Sequence, residues 1–247
     1  MAERNRIGVL GDLHSNLSAL EAALGLLGAE GVGEILCVGD VVGYGPRPNE
    51  VCAILRERNI QAVAGNHDWA LLGKLALDYF NPYAREALEW TRDQISRENR
   101  DWLESLPLRL DTEEWCLFHG CLPRPEDFDY LQSIPAAEKA FEDFNAPIGF
   151  FGHTHLPMTF LRAAEEEALK WHFEPDWTLL QGDRALVNVG SPGQPRDENP
   201  LAPALVYSPD SGRVQLLRAP YPIAREQALI RKAGLPTVLG DRLQHGI

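Results

Sequence analysis

Short apolar runs alternate with helical spacing through the first half of the chain. Residues 6–10 (Arg-Ile-Gly-Val-Leu) predict a strand, followed by the polar turn Gly-Asp-Leu-His-Ser-Asn over 11–16. Leu17, Leu20, Leu24 and Leu27 then recur on one helix face, with Ser15 or Asn16 as the cap and Gly28 and Gly31 at the fraying end. Residues 35–38 predict a second strand, which ends at Gly39 and Asp40. The Gly/Pro-rich stretch 43–49 leads into a helix carrying Val51, Ile54 and Leu55. A third strand over 60–64 ends at Gly65, Asn66, His67 and Asp68. Strands that look apolar on both faces and are joined through helices imply parallel βαβ units.

Helical spacing covers 82–106, with Ala84, Ala87, Leu88, Thr91 and Ile95 on one face and a shorter turn around Trp102, Leu103 and Leu106. A strand at 115–118 delivers His119 and Gly120, and a long loop runs from Pro123 to Pro135. Ala137, Ala140, Phe141 and Phe144 mark another helix, and a strand over 148–151 delivers Gly152, His153, Thr154 and His155. Beyond 156 the texture changes to β-like runs at 158–162, 169–173, 177–180, 185–189, 204–207 and 213–217. Turn residues separate them, which predicts an antiparallel meander. A last helix is expected over 223–234 and a loose tail over 236–247. With no repeat, low-complexity stretch or linker, residues 1–247 are expected to form a single domain, two sheets with helices outside.

Composition narrows the chemistry. The 247 residues carry a net charge of −13, from 23 basic and 36 acidic side chains. Such a balance argues against non-specific binding along a nucleic-acid backbone, which relies on Lys and Arg. A phosphate ester is still admitted as substrate, because a bound metal reverses the local field. Cys37, Cys52, Cys116 and Cys121 show no C-x-x-C spacing, and Cys37 reads as a small buried thiol. The N-terminus runs straight into a strand, without the pattern of a signal peptide, and no apolar run approaches the ~18 residues of a membrane span. A cytoplasmic protein without a membrane partner is expected. A homo-oligomer is compatible with the sequence but not readable from it.

The strand ends collect Asp12, His14, Asp40, Asn66, His67, His119, His153 and His155. The chain has seven histidines, and only His172 and His245 lie outside this set. Imidazole and carboxylate suit borderline divalent metals. The donors are too many for one tetrahedral site, whereas two metals sharing a carboxylate would use them all.

The ordered blocks Asp12-x-His14, Gly39-Asp40-x-x-Gly43, Gly65-Asn66-His67-Asp68, His119-Gly120 and Gly152-His153-Thr154-His155 resemble the calcineurin-like metallophosphoesterase superfamily. Residues 188–196 (Asn-Val-Gly-Ser-Pro-Gly-Gln-Pro-Arg) are similar to a segment of its small prokaryotic phosphodiesterase branch. The resemblance implies an α/β (α+β) fold: a four-layer α/β/β/α sandwich with a parallel βαβ N-terminal half and a largely antiparallel C-terminal half. It implies two divalent metal ions per chain, from among Mn, Fe, Zn and Ni, with Mn favoured. Asp12, His14 and His155 would bind one, Asn66, His119 and His153 the other, and Asp40 would bridge them. The implied reaction is hydrolysis of a small phosphodiester, a nucleotide being one candidate, by a metal-bridging hydroxide. His67 would be the catalytic acid and Asp68 its orienting neighbour, or simply a hydrogen-bond partner of the turn. The alternatives are a phosphomonoesterase or protein phosphatase of the same superfamily, and a non-catalytic partner-binding scaffold.

Protein phosphatases of the superfamily carry an acid and an arginine where this chain has Gly43 and Tyr44. Arg47 or Arg196 could substitute for that phosphate-holding arginine, although a structural salt bridge is the slightly favoured reading of Arg196. Tyr44 stands evenly between packing and substrate contact. Trp115, Trp171 and Trp177 read as core aromatics, with a place for one of them in a substrate cleft as the alternative, Asp127 and Asp129 as solvated loop residues, His172 as a sheet residue, His245 as tail, and Glu165–Glu167 as a solvated hairpin turn.

Overall fold

Why apolar runs of only four residues suffice as strands becomes clear from the two sheets they build. The computed structural model describes residues 6–166 and 168–247; of the expected 165–167 turn, Glu167 lies outside the described residues. Strands β1 (Ile7–Leu10), β2 (Glu34–Cys37) and β3 (Gln61–Ala62) are parallel. Between them run α1 (Leu17–Ala29) and α2 (Pro48–Glu57). Helices α3 (Asn66–Leu72), α4 (Pro82–Gln94) and α5 (Arg97–Ser105) follow. Then come β4 (Arg109–Asp111), β5 (Trp115–Phe118), α6 (Ile134–Asp143), β6 (Ile148–Phe151), β7 (Met158–Arg162), β8 (Lys170–His172) and β9 (Asp176–Thr178). The chain continues through β10 (Arg184–Asn188), β11 (Ala202–Ser208), β12 (Arg213–Ala219), α7 (Ile223–Lys232) and α8 (Thr237–Asp241).

The strands form two mixed six-stranded sheets, ordered β3-β2-β1-β11-β12-β9 and β4-β5-β6-β10-β7-β8. Each strand of the inner region is apolar on both faces because each face meets a different layer. Ile7 and Val9 of β1 meet Leu117, Ile148, Phe150 and Val187 of the other sheet in the central core. Leu10 of the same strand packs instead with Leu20, Leu24 and Leu27 of α1. On the far side, Phe118, Phe151 and Leu186 cover Ala137, Ala140 and Phe141 of α6. The layers are therefore α/β/β/α, as expected.

The second half is not one meander. β10 lies between β6, to which it is parallel, and β7, to which it is antiparallel. The β11–β12 hairpin crosses to the first sheet and pairs with β1. Apolar spacing marks a strand but carries no information about its partner, which is why the sheet exchange escaped the sequence reading. Two further expectations are corrected. Trp171 is not core but 56% exposed on β8. The tail is not loose: α8 and the short 3₁₀ turn Arg242–Gln244 bury Leu239 and Leu243 against Ala84 and Ala87 of α4 and against Tyr44. No helix of the described residues is long and apolar enough to cross a membrane.

Candidate metal centre

The collected histidines and carboxylates lie beyond the carboxyl ends of strands, the edge where α/β sheets bind ligands. Asp12 and His14 follow β1, Asp40 follows β2, His119 follows β5, and His153 and His155 follow β6. Asn66 and His67 differ from the expected strand end: they open α3, with Gly65 as its N-cap. The backbone turns sharply at these points. Asp12, His14, Asp40, His153 and His155 adopt positive φ of 50°, 46°, 50°, 70° and 61°, and only four other described non-glycine residues do so. Such conformations cost on the order of 1–3 kcal/mol each and persist where the surroundings over-determine them. Gly65 answers a different need, close approach: a Cβ there would lie 2.1 Å from Asp40 Oδ1 and 2.4 Å from Asp40 N.

Two groups of donors result. Asp12, His14, Asp40 and His155 offer ligand atoms all within 4.8 Å of one another, and so do Asp40, His119 and His153. Asp40 belongs to both. Asn66 adjoins the second group, its Oδ1 being 3.1 Å from His119 Nε2. The backbone carbonyls behind the rings decide which nitrogen faces inward. The Nδ1 atoms of His14, His119 and His155 contact Val42 O at 3.2 Å, Val38 O at 2.7 Å and Gln194 O at 2.6 Å. A carbonyl only accepts, so each Nδ1 carries a proton and donates it. In the neutral rings, each Nε2 then presents a lone pair to the centre.

This makes the first group a set of converging acceptors. His14 Nε2 and His155 Nε2 face each other at 3.0 Å. Asp12 Oδ1 is 3.4 Å from His155 Nε2, and Asp40 Oδ2 is 3.6 Å from His14 Nε2. All four groups are buried. Lone pairs driven together in a dry site repel unless a proton or a cation lies among them. Burial holds the protons off His14 and His155, whose pKa values fall well below the usual histidine range. It pushes Asp12 up to about 7. His119 is the exception: burial resists its charge, but the Asp40 carboxylate beside it pushes it up to about 9. Burial likewise opposes the charge on Asp40, yet His119 and His67 hold its carboxyl well below the usual range. The donor set, the inward lone pairs and the shared carboxylate fit divalent cations.

A cavity of about 620 Å³ opens onto this centre, lined by Asp40, Asn66, His67, His153, His155 and Arg196 among others. His67 packs between His14, Tyr44 and Phe80, with ring centroids 4.6, 4.7 and 5.0 Å away. Its Nδ1 is buried without a partner. Burial lowers His67 to about 4, partly offset by Asp40. Tyr130 stacks on His153 with centroids 4.1 Å apart and planes 13° from parallel.

Of the two roles expected of Asp68 the structure shows the hydrogen-bonding one, while the roles expected of Arg47, Arg196 and the loop acids change. Asp68 accepts from the backbone N–H of Gly65 at 2.9 Å, Val42 at 3.1 Å and Val41 at 3.3 Å. It therefore ties the loop after Asp40 to α3, and no hydrogen bond joins it to the His67 ring. Arg47 is no wall of the cavity; its Nη2 is 2.6 Å from Glu226 Oε2 and 2.8 Å from Ser18 Oγ. Arg196 forms no salt bridge with a described carboxylate; it contacts Tyr44 Oη and Gln194 Oε1, both at 3.3 Å. Asp127 and Asp129 line the cavity rather than merely solvating a loop. Tyr79, Phe80 and Asn81 line it too. No sequence signal singled them out, because they only connect α3 to α4.

Comparison with known proteins agrees with this geometry. The calcineurin-like phosphoesterase superfamily domain matches residues 6–210. An uncharacterized protein of Methanocaldococcus jannaschii is 37% identical over 245 residues, 97% of this chain and 98% of its own length. The crystal structure of a metallophosphoesterase from Sphaerobacter thermophilus is similar at 41% identity and a TM-score of 0.84, covering 98% of this chain and 99% of that one. A hypothetical protein from Pyrococcus horikoshii shares the fold at 20% identity and a TM-score of 0.76, with 98% of each chain covered. Converging imidazole lone pairs, a shared buried carboxylate and a family match across most of the chain lead to one conclusion: this protein belongs to the calcineurin-like phosphoesterase superfamily of metal-dependent phosphoester hydrolases.

Proposed function

We propose that the protein is a phosphodiesterase acting on a small phosphodiester, with nucleotides among the candidate substrates, and that it holds two divalent cations, Mn²⁺ favoured. Asp12, His14, Asp40 and His155 would hold one, and Asp40, Asn66, His119 and His153 the other. Such cations supply an activated water and offset the negative charge of the phosphoryl oxygens. The observation that carries the reading is the pair of donor groups sharing Asp40, with ring nitrogens oriented inward by Val42, Val38 and Gln194.

The protein's own side chains would do the rest. His67 lines the cavity beside Asn66 and Asp40 and is the candidate proton donor to the leaving oxygen. Its imidazole is held neutral by burial, but an anion bound alongside favours the charged ring and raises its pKa toward the working range. The preference for a diester rests on charge. Glu126, Asp127 and Asp129 line the same cavity, and Arg124 is paired with Asp127 at 2.7 Å. An acidic wall disfavours a dianionic monoester more than a monoanionic diester.

Hydrolysis of bis-p-nitrophenyl phosphate and p-nitrophenyl phosphate, measured with added Mn²⁺ and with metal analysis of the same samples, tests this. Faster turnover of the diester with two metals per chain is the expected result. A preference for the monoester moves the protein to the phosphomonoesterase reading. No turnover of either ester with two metals bound leaves the partner-binding scaffold.

A further inference from the structure

Arg196 is the basic residue of the cavity that no ion pair among the described residues engages. Arg47, Arg213 and Arg218 each pair with a carboxylate. Arg196 pairs with none among the described residues; its Nη2 is shared between the Tyr44 hydroxyl and the Gln194 amide oxygen, and its Nε is buried with no partner among them. A second guanidinium stands nearby as well: burial and the charge of Arg196 lower the pKa of Arg242, while Asp12, which the charge of Arg196 also reaches, belongs to the metal centre. A guanidinium in this position, beside another guanidinium and at the edge of donors suited to divalent cations, favours an anion in the cavity.

The residue is also held firmly relative to the metal ligands. Ser191 Oγ donates to Asp12 O at 2.7 Å, and Gly193 N donates to the same oxygen at 3.1 Å. Asn16 Nδ2 donates to Gly193 O at 3.0 Å, and Gln194 O accepts from His155 Nδ1 at 2.6 Å. The loop that carries Arg196 is thus stitched to both ends of the first donor group. Tyr44, on the other side, is buried between the His14 and His67 rings, with centroids 4.5 and 4.7 Å away. From behind, Leu239 and Leu243 of the C-terminal segment pack on it. A planar guanidinium fixed in this way, with donors unspent, suits the bidentate binding of a phosphoryl group.

We propose that Arg196, braced by Tyr44 and Gln194, binds the non-bridging oxygens of the substrate phosphoryl group, the task for which this chain has no arginine at position 44. This rests on the phosphoesterase reading above. The test is inorganic phosphate titrated calorimetrically into Mn²⁺-loaded wild-type, R196Q, R196K and Y44F proteins, with metal content and melting temperature measured on each. Loss of a hydrogen-bonded charge weakens binding by about 10- to 150-fold. R196Q is expected to fall in that range with its metals retained. R196K, which keeps the charge without the fork, should lie between R196Q and wild type. Y44F should weaken binding less than R196Q does. R196Q or R196K binding phosphate as tightly as wild type, with metals in place, overturns the assignment while leaving the hydrolase reading intact. A metal-loaded wild-type protein that neither binds phosphate nor turns over an ester overturns both.

Discussion

Replacing Arg47 distinguishes a buried structural pair from a substrate contact. The pair joins the residue that precedes α2 to the first turn of α7, at 2.6 Å between Arg47 Nη2 and Glu226 Oε2. The Glu226 side chain is wholly buried and that of Arg47 is 12% exposed. Arg47 Nε and Glu226 Oε1 have no partner, so desolvation is only partly offset. Arg47→Ala would leave the Glu226 carboxylate buried without a cation, a change that costs about 3–5 kcal/mol. For a chain of this size each kcal/mol moves Tm by about 2–4 °C, so the melting point should fall by about 6–20 °C. Removing both charges in the double substitution Arg47→Met, Glu226→Leu should recover most of that loss, because no ion is then buried alone. Urea unfolding gives the stability, and diester hydrolysis well below the melting point of each variant gives KM. The expected outcome is a large loss of stability in the single variant with KM unchanged. A raised KM in Arg47→Ala together with a stability within about 0.5 kcal/mol of wild type, the range of an inert surface change, would refute the reasoning and return Arg47 to the substrate.

His67→Gln should retain metal while turnover falls by about 10²–10⁴, the usual contribution of a positioned acid; loss of metal in elemental analysis would make His67 a ligand instead. Stripping metal with a chelator should lower Tm, and Mn²⁺ should restore it with the logarithm of its excess over Kd, since ligand bound only by the folded state stabilises it. An unchanged melting curve would count against the donor groups. Gly65→Ala should impair metal binding, because its Cβ would fall 2.1 Å from Asp40 Oδ1; full metal occupancy in that variant would show that the loop yields at small cost.

Legibility differed from residue to residue. Asp12, His14, Asp40, His119, His153 and His155 stood out because each follows a short apolar run, and such runs end at the ligand edge of a parallel sheet. Asn66 and His67 lie past the third strand as expected, but the helix they open was not legible there, because the strand keeps only two residues and α3 follows it closely. Arg47 looked available for substrate because Glu226 lies 179 residues away along the chain. For Asp68 the sequence left two roles open, orienting His67 or hydrogen-bonding the turn, and its three acceptor contacts, all with backbone of its own and the preceding loop, decide for the second.

Local pattern by itself marked most of the strands and helices and the residue types that gather at the strand ends. Those follow from side-chain period and from the chemistry of imidazole and carboxylate, which need no knowledge of partners. Tertiary structure alone decided the order of strands in the two sheets, the carbonyl behind each imidazole, the carboxylate that neutralises Arg47, and the absence of any such carboxylate at Arg196 among the described residues. These are long-range pairings, set by which surfaces meet when the core closes. The sequence named Arg196 as a candidate through the block that ends on it, but gave Arg47 the same standing and favoured a salt bridge for Arg196. Only the folded loop holds it beside Tyr44 and the metal centre with its charge unspent.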